Sequence, residues 1–383
     1  MADIGNFLKK RADDGLLRVL RPASGRYEGN IYFNKKEYID LSSNDYLGLS
    51  AHPELIKTAK TAIEKFGSGT CASRLMSGDL EMHHELEEAV AKFKNKEAAL
   101  VFNSGYQANT GIISALYGKK DCIFSDRLNH ASIVDGILLS GAHFFRFQHN
   151  NMEHLEALLQ KERNKFDDAL IITETIFSMD GDSAPLKDLV RLKNKYNCSI
   201  MVDEAHATGI FGKRGSGMVE QEGLGKEIDL IMGTFGKALG SFGAYLAASK
   251  RIVEYLVNSS RSFIYSTALP PAVIACNLAS IKLIKEEPRR RIELLKSAQY
   301  FRDSLKAKGF EVRGDSQVVP LITRDNAGTI KFAKMLQEKG YWVLPVRAPT
   351  VPAGEARLRF SLSYCHGREV LGKLINDISN IKI

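Results

Sequence analysis

The sequence predicts an α/β protein whose central sheet is mostly parallel and carries helices on both faces. Short apolar runs recur along the chain, at residues 98–102, 122–124, 169–173, 199–202 and 229–232. Most of these runs are separated by stretches with helical periodicity, such as residues 152–166 and 186–196. Strands that are apolar without alternation are buried on both faces, which is typical of parallel sheets between layers of helices.

Two helices are predicted before the first of these strands. Apolar residues recur with the helical period from residue 54 to residue 66, and Gly67 ends that helix. A second helix passes through Leu86, Val90 and Phe93. A helical segment therefore leads into the sheet.

The chain changes character after Leu269. Two prolines open a long helix that runs toward Glu287, where Pro288 breaks it. A helix over residues 292–308 then leads into shorter strands, which we predict at residues 318–322, 342–345 and 357–362.

The chain is accordingly expected to have three parts. The first 45 residues look like an arm, because their one short amphipathic helix, through Phe7, Leu8, Leu16 and Leu17, cannot form a core of its own. We predict an N-terminal arm (1–45), a large cofactor-binding α/β domain (46–287) and a small C-terminal α+β domain (288–383).

Composition and charge narrow the classes of function. Of the 383 residues, 44% are hydrophobic and 26% are charged, which excludes a disordered chain. No uncharged apolar run approaches about 18 residues, and the charged N-terminus offers no signal-peptide core. The net charge of +8 suits small anionic substrates, while the densest basic cluster, residues 289–291, is flanked by glutamates, as on a solvated helix face. We expect a cytoplasmic location, and neither a membrane nor a nucleic-acid partner.

Three short patterns suggest sites that the rest of the sequence does not support. The five cysteines lie at least 51 positions apart, so they form neither a zinc motif nor a dense disulfide framework. The GxGxxA match at residues 67–72 follows a helix, whereas a dinucleotide site needs a strand there. The DEAH tetrapeptide at residues 203–206 lacks a GxxxxGK loop ending in Ser or Thr, which excludes a nucleotide-driven motor. We expect no metal site.

Two neighbouring strands end in a carboxylate, an imidazole, a hydroxyl and an amine. Asp203 and His206 follow one apolar run, and Thr234 and Lys237 follow the next. Ligands of open α/β sheets bind beyond the carboxyl ends of the strands, so these groups are expected to meet. A lysine there can form an imine with an aldehyde, and a carboxylate can keep a pyridine nitrogen protonated. The pattern therefore predicts a pyridoxal phosphate site.

Further segments fit the same site. Residues 103–109 follow a strand and open a helix, whose backbone N–H groups can bind a phosphate. His130 can stack on the cofactor's ring, and residues 173–182 end another strand in polar groups. Each group alone has an ordinary structural role, such as a helix cap for Asp203 or a loop position for Lys237. Their order along successive strand ends favours the functional interpretation.

Motifs along almost the whole chain extend this pattern. They are LSSNDYLGL (41–49), SGYQAN (104–109), LNHASIVDG (128–136), DEAHATG (203–209), TFGKA (234–238), YSTALP (265–270), PTVPAG (349–354) and ARLR (356–359). With these motifs the chain resembles the α-oxoamine synthase family of fold-type I pyridoxal phosphate enzymes. The resemblance implies an acyltransferase on that fold.

The resemblance implies a role for each catalytic residue. Lys237 would carry the cofactor as an imine, and Asp203 would pair with the pyridine nitrogen. His130 would stack on the ring, and His206 would approach the ring hydroxyl.

Further cofactor contacts are implied by the same resemblance. Ser178 would approach the ring hydroxyl, and Thr234 and the backbone at Gly105 and Tyr106 would hold the phosphate. The remaining predicted contacts are Ser104, Glu174, Ser266 and Thr267. In this family the site lies at a dimer interface, so Ser266 and Thr267 would reach the phosphate of the neighbouring subunit, and a homodimer with shared sites is implied.

The implied substrates are an amino acid and an acyl thioester on coenzyme A or a carrier protein. Arg359, assisted by Asn44, would bind the amino acid's carboxylate, and Arg21, Arg347 and Thr350 are the other predicted substrate contacts. Within the family, the motifs resemble most the members that condense L-alanine with a pimeloyl thioester in biotin synthesis, with loss of carbon dioxide and release of the thiol.

Two other functions stay open at this stage. The loop at residues 70–75 is closer to relatives that use serine, so a serine palmitoyltransferase-like or a glycine C-acetyltransferase activity remains an alternative. A non-catalytic binding protein on the same fold is a more remote alternative, because a fold does not fix a function.

Overall fold

The computed structural model describes residues 3–381. The strands are β1 (Gly25–Tyr27), β2 (Asn30–Phe33), β3 (Lys36–Asp40), β4 (Ala98–Phe102), β5 (Cys122–Asp126), β6 (His143–Phe147), β7 (Ala169–Glu174), β8 (Ser199–Asp203), β9 (Leu230–Thr234), β10 (Ala244–Ala248), β11 (Val318–Arg324), β12 (Tyr341–Trp342), β13 (Pro345–Val346) and β14 (Ala356–Ser361). The helices are α1 (Ile4–Asp13), α2 (Pro53–Phe66), α3 (Glu81–Lys94), α4 (Gly105–Leu116), α5 (Ala131–Ser140), α6 (Met152–Glu162), α7 (Leu186–Lys195), α8 (Met218–Gln221), α9 (Lys250–Ser259), α10 (Arg261–Ile264), α11 (Pro271–Glu286), α12 (Pro288–Ala307), α13 (Asn326–Glu338) and α14 (Arg368–Ser379). A 3₁₀ turn, Arg163–Lys165, follows α6.

The large sheet has the strand order β4-β10-β9-β8-β7-β5-β6. Its strands from β9 to β6 pair in parallel, whereas β10 runs antiparallel to both of its neighbours, β9 and β4. The predicted α/β fold with a mostly parallel sheet is therefore confirmed. Each predicted apolar run of this sheet overlaps a strand, but β6 and β10 were not predicted.

Alternate residues of the central strands enter separate cores on the two faces of the sheet. In β7, Leu170 and Ile172 join the core that contains Ile112 of α4, and Ile171 joins the core that contains Leu189 of α7. Every residue of β7 is buried, which explains why its sequence shows no polar alternation. Among residues 3–381, no helix is long and apolar enough to cross a membrane.

Two smaller sheets lie outside this layer. One has the order β11-β14-β13 and is antiparallel. The other joins β1, β2 and β3 to β12, which runs parallel to β3. Strands of the segment predicted as an arm thus share a sheet with a strand of the predicted small domain, and the division into three parts stays a prediction.

Three predicted boundaries are wrong. α1 ends at Asp13, so Leu16 and Leu17 lie outside the helix that was predicted to contain them. α12 begins at Pro288 because proline fits the first turn of a helix, where its missing N–H costs nothing. The predicted strand at residues 342–345 is divided between the end of β12 and the start of β13.

The basic cluster at residues 289–291 is only partly a solvated face. Arg289 pairs with Glu293 on the exposed side of α12. Arg291 is 6% exposed, and its Nη1 donates to the carbonyl of Ile284 at 2.8 Å. A guanidinium there satisfies a free carbonyl in the last turn of α11, which the charge pattern alone does not reveal.

Candidate active site

Polar groups from five segments gather at the carboxyl edge of the large sheet. β4, β5, β7, β8 and β9 all point the same way, so the residues that follow them lie along one edge. The predicted site residues at this edge are Ser104, Gly105 and Tyr106 after β4, His130 after β5, Glu174 and Ser178 at and after β7, Asp203 and His206 at and after β8, and Thr234 and Lys237 at and after β9.

Asp203 is held at the end of β8 by two donors. It is 5% exposed, its Oδ1 accepts the backbone N–H of Ala205 at 2.8 Å, and its Oδ2 accepts Asn109 Nδ2 at 3.0 Å. Asn109 Nδ2 also donates to Ser132 Oγ at 2.9 Å, so α4 and α5 both support this carboxylate. Asp203 therefore presents a fixed negative charge to the edge of the sheet.

Lys237 lies next to His206, with its Nζ 2.9 Å from His206 Nε2. Burial lowers the pKa of Lys237 from 10.5 to about 8, although the neighbouring carboxyl groups, Asp203 first and then Glu174, act to raise it. A lowered pKa gives the amine a larger neutral fraction near neutral pH, and the neutral amine is the nucleophile.

A line of hydrogen bonds fixes the tautomer of His206. Tyr46 donates its hydroxyl proton to Asn44 Oδ1 at 3.0 Å, and the same hydroxyl lies 2.7 Å from His206 Nδ1. The Tyr46 oxygen must then accept from Nδ1–H, which leaves Nε2 as an acceptor for the Lys237 amine. Burial, together with the charges of Lys237 and Arg359, lowers the pKa of His206 well below its usual value, so the ring stays neutral.

Glu174 is a second carboxyl group beside Asp203. The two residues are directly paired across β7 and β8, and Glu174 is 3% exposed. Burial, with the charge of Asp203 next to it, raises the pKa of Glu174 to about 8. Its Oε1 has no hydrogen-bond partner within the described chain. A largely protonated carboxyl group at this position can donate a hydrogen bond to a bound molecule.

His130 caps the N-terminus of α5 and keeps one face of its ring accessible. Its Nδ1 accepts the backbone N–H of Ser132 at 3.2 Å and lies 2.8 Å from Ser132 Oγ. The ring is exposed and meets the ring of Tyr106 edge-on, with 6.4 Å between centroids. An accessible imidazole is compatible with stacking on a planar group.

The N-terminus of α4 and Thr234 form a cradle that fits a phosphate. The Oγ of Ser104 caps α4 by accepting the backbone N–H of Gln107 at 3.2 Å. Any Cβ at position 105 would lie 2.8 Å from Thr234 Cγ2, so glycine lets the two strand ends approach closely. The buried Thr234 Oγ1 has no partner among residues 3–381, and a phosphate oxygen would satisfy it.

Thr234→Val is expected to weaken cofactor binding about tenfold, because a hydrogen bond to a charged group contributes ~1.5–3 kcal/mol. The dissociation constant of pyridoxal phosphate for the apoenzyme, measured by fluorescence titration, checks this. Pyridoxal, which lacks the phosphate, is the matched control and should bind both proteins equally. An equal loss for both ligands would contradict the assignment of Thr234 to the phosphate.

Arg359 projects from β14 into a set of polar partners. Its Nη1 and Nη2 donate to Asn44 Oδ1 at 3.3 and 3.2 Å, and Nη2 also donates to Tyr46 Oη at 3.3 Å. Its Nε donates to the carbonyl of Ser178. Arg359 therefore joins the same hydrogen-bonded line as His206 and Lys237.

The other predicted substrate residues join the N-terminal segment, to which Arg21 belongs, to the C-terminal part of the chain. Arg347 donates to the carbonyl of Gly15, and Thr350 accepts Arg18 Nη2 at 3.3 Å. The guanidinium of Arg21 lies 5.8 Å from the centre of the Trp342 ring. No contact in the described chain joins these three residues to Lys237.

The predicted phosphate contacts Ser266 and Thr267 lie beside the start of α4. Gln107 Nε2 donates to Ser266 Oγ, and Asn103 Nδ2 donates to the carbonyl of Thr267 at 2.8 Å. The side chain of Thr267 is exposed.

Sequence reasoning missed Asn109 and Tyr46. Asn109 is a buried amide in the apolar helix α4, and a polar residue on such a face usually has a specific partner. Tyr46 is fully buried, and its partner His206 lies 160 positions later, a contact that no local pattern indicates.

The model of the aminotransferase class I and II family matches residues 36–378. The chain belongs to this family. It is 48% identical to 8-amino-7-oxononanoate synthase of Geobacter sulfurreducens over 381 residues, which cover 99% of this chain and 97% of that protein. A serine palmitoyltransferase variant from S. paucimobilis with a bound PLP–myriocin aldimine superimposes with a TM-score of 0.92, at 32% identity over 99% of this chain and 96% of that one. The 8-amino-7-oxononanoate synthase structure from Francisella tularensis has a TM-score of 0.78, at 30% identity over 89% and 97%.

These likenesses confirm the resemblance to the α-oxoamine synthases. The chain is an enzyme that uses pyridoxal phosphate, as the strand-end pattern predicted. The alternative of a non-catalytic binding protein is thereby set aside.

Proposed function

We propose that this protein condenses L-alanine with a pimeloyl thioester and releases carbon dioxide and the free thiol, giving 8-amino-7-oxononanoate for biotin synthesis. The name of its relative from Geobacter sulfurreducens supports this product. The observation that carries the proposal is the unbroken line of hydrogen bonds from Lys237 through His206 and Tyr46 to Arg359. The line joins a desolvated amine to a guanidinium, so one site can bind a carboxylate and remove a proton near it.

Arg359 binds the carboxylate of the amino acid. A guanidinium can grip a carboxylate with two parallel charge-assisted hydrogen bonds, which fixes its direction as well as its position. The bonds from Arg359 to Asn44 and to the Ser178 carbonyl hold the group in place before the substrate arrives. Orientation of the bound amino acid then sets the direction of its Cα–H bond.

The cofactor contacts follow from the strand ends. When bound, pyridoxal phosphate supplies an aldehyde that joins amines and a ring that accepts electron density from Cα. Asp203 would hold a proton on the pyridine nitrogen, and Thr234 with the N-terminus of α4 would hold the phosphate. Lys237 Nζ takes the proton from Cα, and His206 Nε2 keeps that amine in place.

The active unit is a homodimer in which each subunit completes its partner's site. Thr267 is exposed, and Tyr265, two positions before it, is 74% exposed, so this loop presents side chains at the surface of its own subunit. A large exposed aromatic residue is frequent at subunit interfaces. Sedimentation equilibrium measures the assembly directly, and a monomer at micromolar concentration would contradict the proposal.

A cytoplasmic location belongs to the same proposal. The five cysteines are free thiols, and Cys71 is exposed. Unpaired thiols are typical of a reducing compartment. Fractionation of the producing cells, followed by activity measurement, tests this.

A thiol-release assay tests the choice of substrates. We expect the highest kcat/KM for L-alanine with pimeloyl-CoA or with pimeloyl carrier protein, and at least about tenfold lower values for glycine and L-serine, since one methyl or hydroxyl changes discrimination by ~1–3 kcal/mol. Acetyl-, succinyl- and palmitoyl-CoA are the comparison thioesters. Highest activity with serine and palmitoyl-CoA would contradict the proposal and favour the second candidate, which the TM-score of 0.92 to serine palmitoyltransferase keeps in view.

A further inference from the structure

A tight turn after β7, residues 176–183, lies between the large sheet and β14. Ile176 and Ser183 form a β-bridge at its base, and the N–H of Phe177 donates to the carbonyl of Asp182 at 3.0 Å. Within the turn, the N–H of Gly181 donates to the carbonyl of Phe177 at 2.9 Å. We call this segment the 176–183 turn.

His149 fastens the 176–183 turn to the large sheet. Its Nδ1 lies 3.1 Å from Asp126 Oδ1 at the end of β5, and its Nε2 lies 2.8 Å from Asp182 Oδ2 in the turn. Because carboxylates only accept hydrogen bonds, both ring nitrogens must carry a proton, and the ring is an imidazolium. Asn150 strengthens the clamp, since its N–H donates to Asp126 Oδ2 at 2.9 Å and its Nδ2 donates to Asp182 Oδ2 at 3.0 Å.

The surroundings favour the charged ring. The charged groups that face it are Asp126 from β5 and Asp182 from the turn, and Phe177 meets it edge-on, with centroids 4.4 Å apart. Burial disfavours the imidazolium, yet the bonds to the two carboxylates outweigh it and raise the pKa of His149 to about 9. The carboxylate of Asp126 is fully buried, which makes this pairing stronger than one in water.

On its other side the turn holds two arginines of β14. The carbonyl of Ser178 accepts Arg359 Nε, and the carbonyl of Met179 accepts Arg357 Nη1 at 3.3 Å. Asp180 also pairs with Arg357. The position of the turn therefore fixes the direction in which the Arg359 guanidinium points.

We propose that His149 is a positioning residue, which clamps the 176–183 turn to β5 and so holds the Ser178 carbonyl where it orients Arg359 toward the substrate's carboxylate. The proposal rests on the proposed function in one respect, the binding of the amino acid by Arg359. Within residues 3–381 His149 makes no hydrogen bond to Lys237 or Arg359, so we expect it to act through Asp182 and the turn.

His149→Gln in the holoenzyme tests the clamp, because glutamine cannot donate to both carboxylates at once. We expect the KM for the amino acid to rise about tenfold, with the KM for the thioester and kcat changed less than about threefold. His143→Gln, at an exposed histidine of β6, is the matched control and should leave all three constants unchanged. A fall in kcat without a change in the amino-acid KM would overturn the proposal.

Combining His149→Gln with Asp182→Asn tests whether His149 acts through Asp182. If His149 acts through Asp182, the double variant should bind the amino acid no more weakly than His149→Gln alone. If the two substitutions weaken binding of the amino acid additively, His149 does not act through Asp182. If His149→Gln folds poorly, Asp182→Asn alone still tests the clamp, because it removes the charge that pairs with His149 Nε2 and should raise the amino-acid KM, and an unchanged KM would contradict the proposal.

Nitrogen NMR of the histidine rings separates this proposal from the assignment of Arg359. Both ring nitrogens of His149 should be protonated at pH 8. The ring should lose one of these two protons as the pH rises through about 9. A neutral ring at pH 7 would refute the clamp itself. If Arg359→Lys leaves the amino-acid KM unchanged while the NMR result stands, the carboxylate site fails and the clamp does not.

Discussion

Lys237→Ala is expected to lower turnover by at least about 10³-fold, because the variant loses both the amine that joins the cofactor and the base that takes the Cα proton. The Nζ of Lys237 lies 2.9 Å from His206 Nε2, and among residues 3–381 no other lysine is hydrogen-bonded to that imidazole. Borohydride reduction followed by peptide mass spectrometry measures the covalent attachment directly. Cofactor should attach at Lys237 in the natural protein and at no residue of the variant.

Lys213→Ala is the matched control for this experiment. Lys213 is an exposed lysine outside the helices and strands, ten residues after Asp203 in the chain. Its removal should leave both attachment and turnover unchanged. Normal turnover by Lys237→Ala, or attachment at another lysine, would refute the assignment of the site.

Asp203→Asn is expected to retain the cofactor and to lose proton abstraction about 100-fold or more. The amide cannot supply the negative charge that keeps the pyridine nitrogen protonated, and hydrogen bonds to charged groups contribute ~1.5–3 kcal/mol before the change in electron withdrawal is added. The phosphate cradle at α4 and Thr234 is untouched, so binding survives. Exchange of the Cα proton of L-alanine with deuterated water, followed by NMR, measures the step.

Asp188→Asn is the control for the loss of a carboxylate. Asp188 lies on the surface of α7, with 57% of its side chain exposed, and its removal should leave exchange unchanged. Exchange at the normal rate in Asp203→Asn would show that another group protonates the ring.

The strand ends of the site could be predicted because each combines two local signals. An apolar run identifies a buried strand, and a polar residue directly after it lies at the carboxyl edge, as Asp203 and Thr234 do. β10 was missed, and its antiparallel direction could not have been predicted, because a short apolar run such as AYLAA carries no information about the direction of a strand. The exposed and charged residues of β6, HFFRF, hide its pairing with β5.

Contacts between distant segments account for most of what was missed. Asn44 was assigned to the amino-acid carboxylate from a motif, but Tyr46, two residues later, links it to His206. The clamp at His149 depends on Asp126 and Asp182, which lie 56 positions apart and meet only after the sheet has formed. Local periodicity carries no information about contacts between segments that are far apart in the sequence.

The parallel pairing of β3 with β12 has a consequence for synthesis on the ribosome. Ile39 is aligned with Tyr341, which is translated 302 positions later. At ~5–20 residues per second, the edge of β3 waits about 15–60 s for its neighbour. During that interval the unpaired backbone groups of β3 can pair with another nascent chain. We therefore expect the yield of this protein to depend more on the supply of chaperones than on the stability of the folded chain.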